Sequence, residues 1–306
     1  MKTKITSLLL LINLITFGQS TITSEEILIK NDSIELPGTL TFSNQKTPLI
    51  IWVHGSGNVD RNGNQGTVVK ANYIKQFRDS INKNDIAFFS YDKRTANKNN
   101  SKFLQGVIFT DFVSDIKKVI AHFKNDKRFT EIILIGHSQG SLIAMLASEN
   151  SDKYISLAGP STTIDKTIIL QIKKQSPFMV PIVEAHIKEL KETGTIKEVN
   201  PLLASLFNKN NQPFFVDWMK YNPSVEIKKL HLPLLIINGT KDIQVKIADA
   251  KELHNANKKS TLVLIDNMNH VLKHIDKDED NLASYYSADF KLSEKLVETI
   301  VKFIKN

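Results

Sequence analysis

The chain has 306 residues, no cysteine, 41% hydrophobic residues and 40 Lys+Arg against 32 Asp+Glu, for a formal charge of +8. That length holds one large α/β domain or two small ones, and the lack of cysteine excludes disulfides and lipid attached at a cysteine. The basic residues are scattered with no run of five, which reads as a solvated lysine surface; nucleic-acid binding needs a clustered basic face, so no nucleic-acid partner is expected.

Residues 1–20 read as a secretory leader. Lys2 and Lys4 form a basic start, residues 5–17 are apolar apart from Thr6, Ser7, Asn13 and Thr16, and Gly18-Gln19-Ser20 supplies small and polar residues where cleavage would fall. The apolar run is shorter than the ~20 residues that cross a bilayer. Export, with no stable membrane span after leader removal, is the expectation; an uncleaved N-terminal anchor is the alternative. Residues 21–306 are expected to form the folded domain.

Residues 25–30 and 33–42 pattern as two strands around a turn at Asn31-Asp32. Residues 48–53 are continuously apolar, as in a strand buried on both faces. They run into His54-Gly55-Ser56-Gly57 and a loop rich in Gly and Asn over 58–66. A helix is predicted over 68–82, then a strand over 85–91 that ends at Asp92-Lys93-Arg94. Over 111–124, Phe112, Ile116, Val119, Ile120 and Phe123 recur at helical spacing. Ile132-Ile133-Leu134-Ile135 then lead as a strand into Gly136-His137-Ser138-Gln139-Gly140, and a helix-compatible run follows from Leu142.

A short strand over 154–157 stops at Gly159-Pro160, and strand–helix alternation pauses. Residues 161–228 look mostly helical, with amphipathic runs at Ile164, Ile168, Ile169 and Ile172 and at Ile182, Val183, Ile187 and Leu190. Alternation resumes with a strand over 232–237, a helix over 248–256, a strand over 261–265 and a closing helix over 292–304. The pattern predicts an α/β fold: a mostly parallel central sheet with helices on both faces. The helical block, inserted before the strand that leads to Asp242, would form a cap over the carboxyl ends of the strands, where open α/β sheets bind ligands.

The pentapeptide Gly136-His137-Ser138-Gln139-Gly140 is common by itself; the strand before it and the helix after it make it a nucleophile elbow candidate. A serine hydroxyl needs a base in reach, and the base needs an acid to fix its tautomer. Asp242 follows the strand over 232–237, and His270 follows the strand over 261–265. Ser, Asp and His thus come in one of the chain orders that serve acyl transfer. His274 is the rival base, placed further along in what reads as a new helix. The backbone N–H groups of Gln139 and Ser56 are the candidate oxyanion donors. His54, Gly55 and Gly57 support that loop, and the two glycines permit close approach to substrate.

Other charges carry less. Asp60-Arg61 and Asp92-Lys93-Arg94 stand at strand ends, where bracing of the loops is favoured over contact with a polar substrate. Asp276, Asp278 and Asp280 have the spacing that opens a calcium loop. Asn281 replaces its glycine and Ser287 its last acid, so no metal is expected.

Taken together, His54-Gly55-Ser56-Gly57 with Asp60-Arg61, Tyr91-Asp92-Lys93-Arg94, Gly136-His137-Ser138-Gln139-Gly140, Asn238-Gly239-Thr240-Lys241-Asp242-Ile243-Gln244-Val245 and Met268-Asn269-His270 resemble bacterial α/β-hydrolases. The similarity is to the exported esterases and to the dienelactone-hydrolase-like and serine-aminopeptidase-like group, over about residues 25–306. The resemblance implies the α/β-hydrolase fold, with Ser138 as nucleophile, Asp242 as acid, His270 as base and an oxyanion hole from Ser56 and Gln139. It implies no cofactor. Arg94-Thr95-Ala96-Asn97 departs from the glycine-containing turn usual at that point. The expected activity is hydrolysis of a small ester or acyl substrate through an acyl-enzyme. A peptidase, amidase or acyltransferase on the same triad is the alternative within enzymes, and a non-catalytic binding protein is the alternative outside them.

Overall fold

The computed structural model describes residues 21–43 and 46–306. The leader reading lies outside the described residues. Among the described residues eight strands form one sheet: β1 (Thr23–Asn31), β2 (Ile34–Phe42), β3 (Thr47–Val53), β4 (Ala87–Tyr91), β5 (Phe129–His137), β6 (Lys153–Leu157), β7 (Leu234–Gly239) and β8 (Thr261–Ile265). Their order across the sheet is β1-β2-β4-β3-β5-β6-β7-β8. Only β2 runs against the rest, being antiparallel to both β1 and β4, while β4 through β8 pair in parallel. One carboxyl edge therefore gathers the loops that follow β3, β4, β5, β7 and β8.

Side chains alternate across a strand, and the continuous apolar run of β3 divides accordingly. Leu49, Ile51 and Val53 enter one core layer, together with α2 (Phe109–Phe123), α3 (Gln139–Ala147) and the cap. Ile50 and Trp52 enter the other, against α1 (Tyr73–Asn82). The inserted helical block between β6 and β7, called the cap for the position expected of it, comprises α4 (Ile164–Gln175), α5 (Val180–Thr193) and three short helices, α6 (Ala204–Phe207), α7 (Gln212–Trp218) and α8 (Pro223–Glu226). After it come α9 (Ile247–Ala256), α10 (Asp280–Ala283) and α11 (Glu294–Lys305). Leu253 of α9 belongs to the first layer; Leu296, Ile300 and Ile304 of α11 complete the second.

Several expectations shift, three of them for a visible local reason. The helix predicted over 68–82 starts at Tyr73, because Asn72 is left-handed (φ 47°) and residues 65–69 form antiparallel bridges instead. The strand predicted from 85 starts at Ala87, since Asp85 itself has φ 54°. His274 is not helical: it bridges Met268, and its amide donates to Lys291 O at 2.9 Å.

The cap is joined to the sheet domain through α2. Ile108, at the N-cap of α2, offers no side-chain acceptor. Asp217 of α7 supplies one, accepting from both the amide and the hydroxyl of Thr110 at 2.8 Å. Beside it, the rings of Phe109 and Trp218 stack at 5.2 Å.

Candidate active site

Strand β5 ends at His137, and the chain turns sharply into α3 through Ser138, whose φ of 55° and ψ of −124° lie outside the ordinary regions for an L-residue. Such a conformation costs about 1–3 kcal/mol and persists where the surroundings over-determine it. Two glycines do so here. A Cβ on Gly136 would lie 2.4 Å from Gly140 O, and one on Gly140 would lie 2.2 Å from Val53 O. The elbow thus closes on itself and presses against the exit of β3. A Cβ on Gly55 would come 3.1 Å from the Ser138 Cβ, so the loop carrying Ser56 packs directly on the nucleophile candidate.

The loops after β7 and β8 are pressed together in the same way. Gly239 leaves no room for a side chain, since a Cβ would lie 2.0 Å from Met268 O. Thr240 and Lys241 donate their amides to Ile265 O and Met268 O, each at 3.0 Å. This contact brings Asp242 and His270 together. His270 Nδ1–H donates to Asp242 Oδ2 at 2.7 Å, and both residues are buried. Asp242 Oδ1 accepts from the amides of Gln244 (2.8 Å) and Val245 (2.9 Å), which fixes the carboxylate. With Nδ1–H committed to Asp242, the free lone pair of the imidazole is on Nε2, the tautomer a general base needs.

His137, a variable position of the pentapeptide, has an unforeseen part. Its Nε2–H donates to the backbone carbonyl of His270 at 2.8 Å, and the two rings lie 4.8 Å apart. The residue beside Ser138 therefore holds the loop of the base against the elbow. Burial, and then His270, push the His137 imidazole well below its ordinary value, so it is neutral. Nothing in the sequence marks this role, which depends on the spatial approach of β5 and the β8 loop. Ser138 Oγ is part-exposed and takes no hydrogen bond among the described residues; such bonds often tighten only once substrate is bound.

Of the oxyanion candidates, Ser56 is exposed at the tip of its loop and Gln139 is the first residue of α3, where the helix dipole favours negative charge. Neither amide is engaged by another described residue. His54 is buried under the loop and donates Nε2–H to Tyr91 O at 2.5 Å. Gly57 has φ 94°, and a Cβ there would collide with the Gln65 side chain.

The charged strand ends brace the loops. Arg61 forms a two-bond fork on Asp92 (Nε 3.0 Å, Nη2 2.9 Å). Buried Arg94 does the same on Asp115 (2.7 and 2.8 Å). In place of a glycine turn, residues 93–97 are closed by the Ala96 amide on Lys93 O at 2.7 Å. Among the described residues Lys93 pairs with no carboxylate; its Nζ donates to Gly55 O at 2.7 Å and to Gln139 Oε1 at 3.0 Å. Burial pushes its ammonium down to about 7, against the pull of Asp115. Among the described residues, no three His, Asp or Glu side chains converge as a metal-ligand set. Chemically, the arrangement offers a strained hydroxyl, an oriented imidazole and free amides at a helix N-terminus on one sheet edge, the parts that nucleophilic acyl transfer requires.

The family model named BD-FAE matches residues 39–256. Esterase EstD of Thermotoga maritima is 24% identical over 261 residues, which make up 78% of this chain and 58% of that protein; the chain spans less than two thirds of that relative's length. Among solved structures, Est1E from Butyrivibrio proteoclasticus superposes with a TM-score of 0.58 at 19% identity, covering 92% of this chain and 99% of that one. Ferulic acid is bound to Est1E in a second structure. Esterase Pf2001 from Pyrococcus furiosus gives a TM-score of 0.61 at 16% identity, over 96% of this chain and 94% of its own. At these identities the likeness to solved structures is one of fold.

Proposed function

The chain belongs to the BD-FAE family and has the α/β-hydrolase fold, and from that starting point we propose that it is a serine carboxylic-ester hydrolase. The observation that carries this is the 2.7 Å bond from His270 to Asp242 on the sheet edge that also bears the positive-φ Ser138 elbow. His270 Nε2 takes the proton of Ser138 Oγ as the oxygen attacks the ester carbonyl. Charge develops on the carbonyl oxygen, facing the amides of Ser56 and Gln139. Collapse of the tetrahedral species expels the alcohol, which receives the proton from His270. Water, activated by the same imidazole, then frees the acid from Ser138. Asp242 holds the ring and stabilises its positive charge throughout.

Labelling with a fluorophosphonate, read by mass spectrometry, tests this. A single adduct on Ser138 and loss of ester turnover in Ser138→Ala are expected. Unchanged hydrolysis in Ser138→Ala would sink the reading. Ferulic acid bound to Est1E supports including aromatic acyl esters in the substrate panel alongside acetate and longer aliphatic esters. We further propose export through residues 1–20; Edman sequencing of the protein secreted by its producing cell should start near residue 21.

A further inference from the structure

Lys93 is a buried amine with no ion-pair partner among the described residues. The carboxylate that acts on it, Asp115, is held by Nε and Nη2 of Arg94. What Lys93 touches instead are the two segments assigned to the oxyanion hole. Its ammonium donates to the carbonyl of Gly55 and to the side-chain oxygen of Gln139, and lies 4.8 Å from the centre of the Phe112 ring. Burying a charge this way is costly unless it is paired, and a costly charge in a cleft is a candidate for function.

The Gly55 carbonyl belongs to the same peptide unit as the Ser56 N–H. That peptide is trans, so its C=O and N–H point in opposite directions. A cation on the oxygen fixes the peptide plane, aims the N–H away from itself and polarises that N–H toward stronger donation. The second bond anchors Gln139, whose own amide is the other donor. One ammonium thus ties the end of β3 to the start of α3, the two elements whose separation sets the width of the hole.

We infer that Lys93 is a positioning residue of the oxyanion hole, holding the Gly55–Ser56 peptide and Gln139 so that their amides face the developing alkoxide. This rests on the serine-hydrolase reading, and the experiment separates the two. Full-length Lys93→Met and Ser138→Ala are assayed on p-nitrophenyl acetate and titrated with 2,2,2-trifluoroacetophenone, a ketone whose serine adduct carries an alkoxide in the hole. Losing a donor outright costs about 100- to 1,000-fold in kcat, so Lys93→Met, which loosens two donors, should lower kcat about 10- to 100-fold with KM changed less than about threefold. Affinity for the ketone should fall by the same factor as kcat.

The chain has no cysteine, so Lys93→Cys carries one alkylation site. Modified with 2-bromoethylamine it regains a lysine-like ammonium; modified with 1-bromopropane it gains a neutral side chain of similar length. Recovery of kcat with the first and not the second is expected, and this pair decides the matter if Lys93→Met fails to fold. Equal recovery with both, or unchanged kcat and ketone affinity in Lys93→Met while Ser138→Ala is inactive, overturns the Lys93 assignment alone. Wild-type turnover in Ser138→Ala overturns the reading beneath it.

Discussion

His54 and Lys93 stand at the ends of adjacent strands, and Lys93 makes a charge on His54 harder to hold. Burial first, and Lys93 second, push the His54 imidazole down to about 3. An unfolded histidine titrates near about 6.5, so between those values the unfolded chain binds a proton that the folded chain refuses. Stability therefore falls as pH drops through that window, by up to about 1.4 kcal/mol per pH unit. His54→Gln retains an N–H for Tyr91 O and removes the titration. Its urea midpoint should vary less than that of the wild type between about pH 4 and pH 6.5; equal slopes would remove His54 as the source. For Lys93 the window lies higher. The folded ammonium titrates at about 7, and an unfolded lysine near about 10.4, so stability from this group rises with pH across that span. Lys93→Met should out-melt the wild type by most near about pH 6 and by least near about pH 10, while losing turnover, a trade common at functional sites. His137→Phe keeps a ring against Trp52 and loses the bond to His270 O. A loss of about tenfold in kcat with little change in KM is expected from loosening the base, measured by steady-state ester kinetics.

At the level of elements, α2 depends on a residue 107 positions away in sequence for its N-terminal cap. Burial would raise the Asp217 carboxyl, but the Thr110 amide, Lys220 and the Thr110 hydroxyl hold it below its ordinary value. Asp217→Ala should lower stability by about 0.5–2 kcal/mol, the range for a lost N-cap, seen as a lower urea midpoint at unchanged slope. Such a cap was beyond the reach of sequence reasoning, because Ile108 carries no capping group and the acceptor comes from another layer. The elements themselves were legible where burial imposes a period: residues 48–53, the helical spacing of Phe112 to Phe123, and the three strands leading to Ser138, Asp242 and His270. Boundaries slipped where a single left-handed residue, Asn72 or Asp85, ends the pattern without changing polarity. Asp242 and His270, chosen by their position in chain order, meet in the structure because both follow strands on one edge. The contacts of His137 and Lys93 are not legible in the sequence, because each reaches a backbone carbonyl that no residue type advertises.

For the molecule as a whole, the question is whether the cap and the sheet domain are one cooperative unit. The first core layer answers in structural terms: it runs without a break from Leu49 and Val53 of β3 through Phe109 and Phe112 of α2 to Ile187, Leu190, Phe215 and Trp218 of the cap. Polar ties follow the same seam, with Asp249 of α9 accepting from the amide and hydroxyl of Ser161 at 2.9 and 2.8 Å. A cap sharing its apolar core with the sheet cannot melt without exposing α2, so its unfolding should coincide with that of the sheet. The two tryptophans report on the two sides separately. Trp52 is buried among Tyr73, Phe77 and Phe88 in the layer under α1, and Trp218 stacks on Phe109 at the cap seam. Trp52→Phe and Trp218→Phe leave one emitter each. Each variant's urea transition, followed by its remaining tryptophan, should coincide with that variant's own far-ultraviolet circular dichroism transition. A Trp218 transition at lower urea than the circular dichroism change in Trp52→Phe would make the cap a separately melting lid, and access to Ser138 would then be governed by its opening.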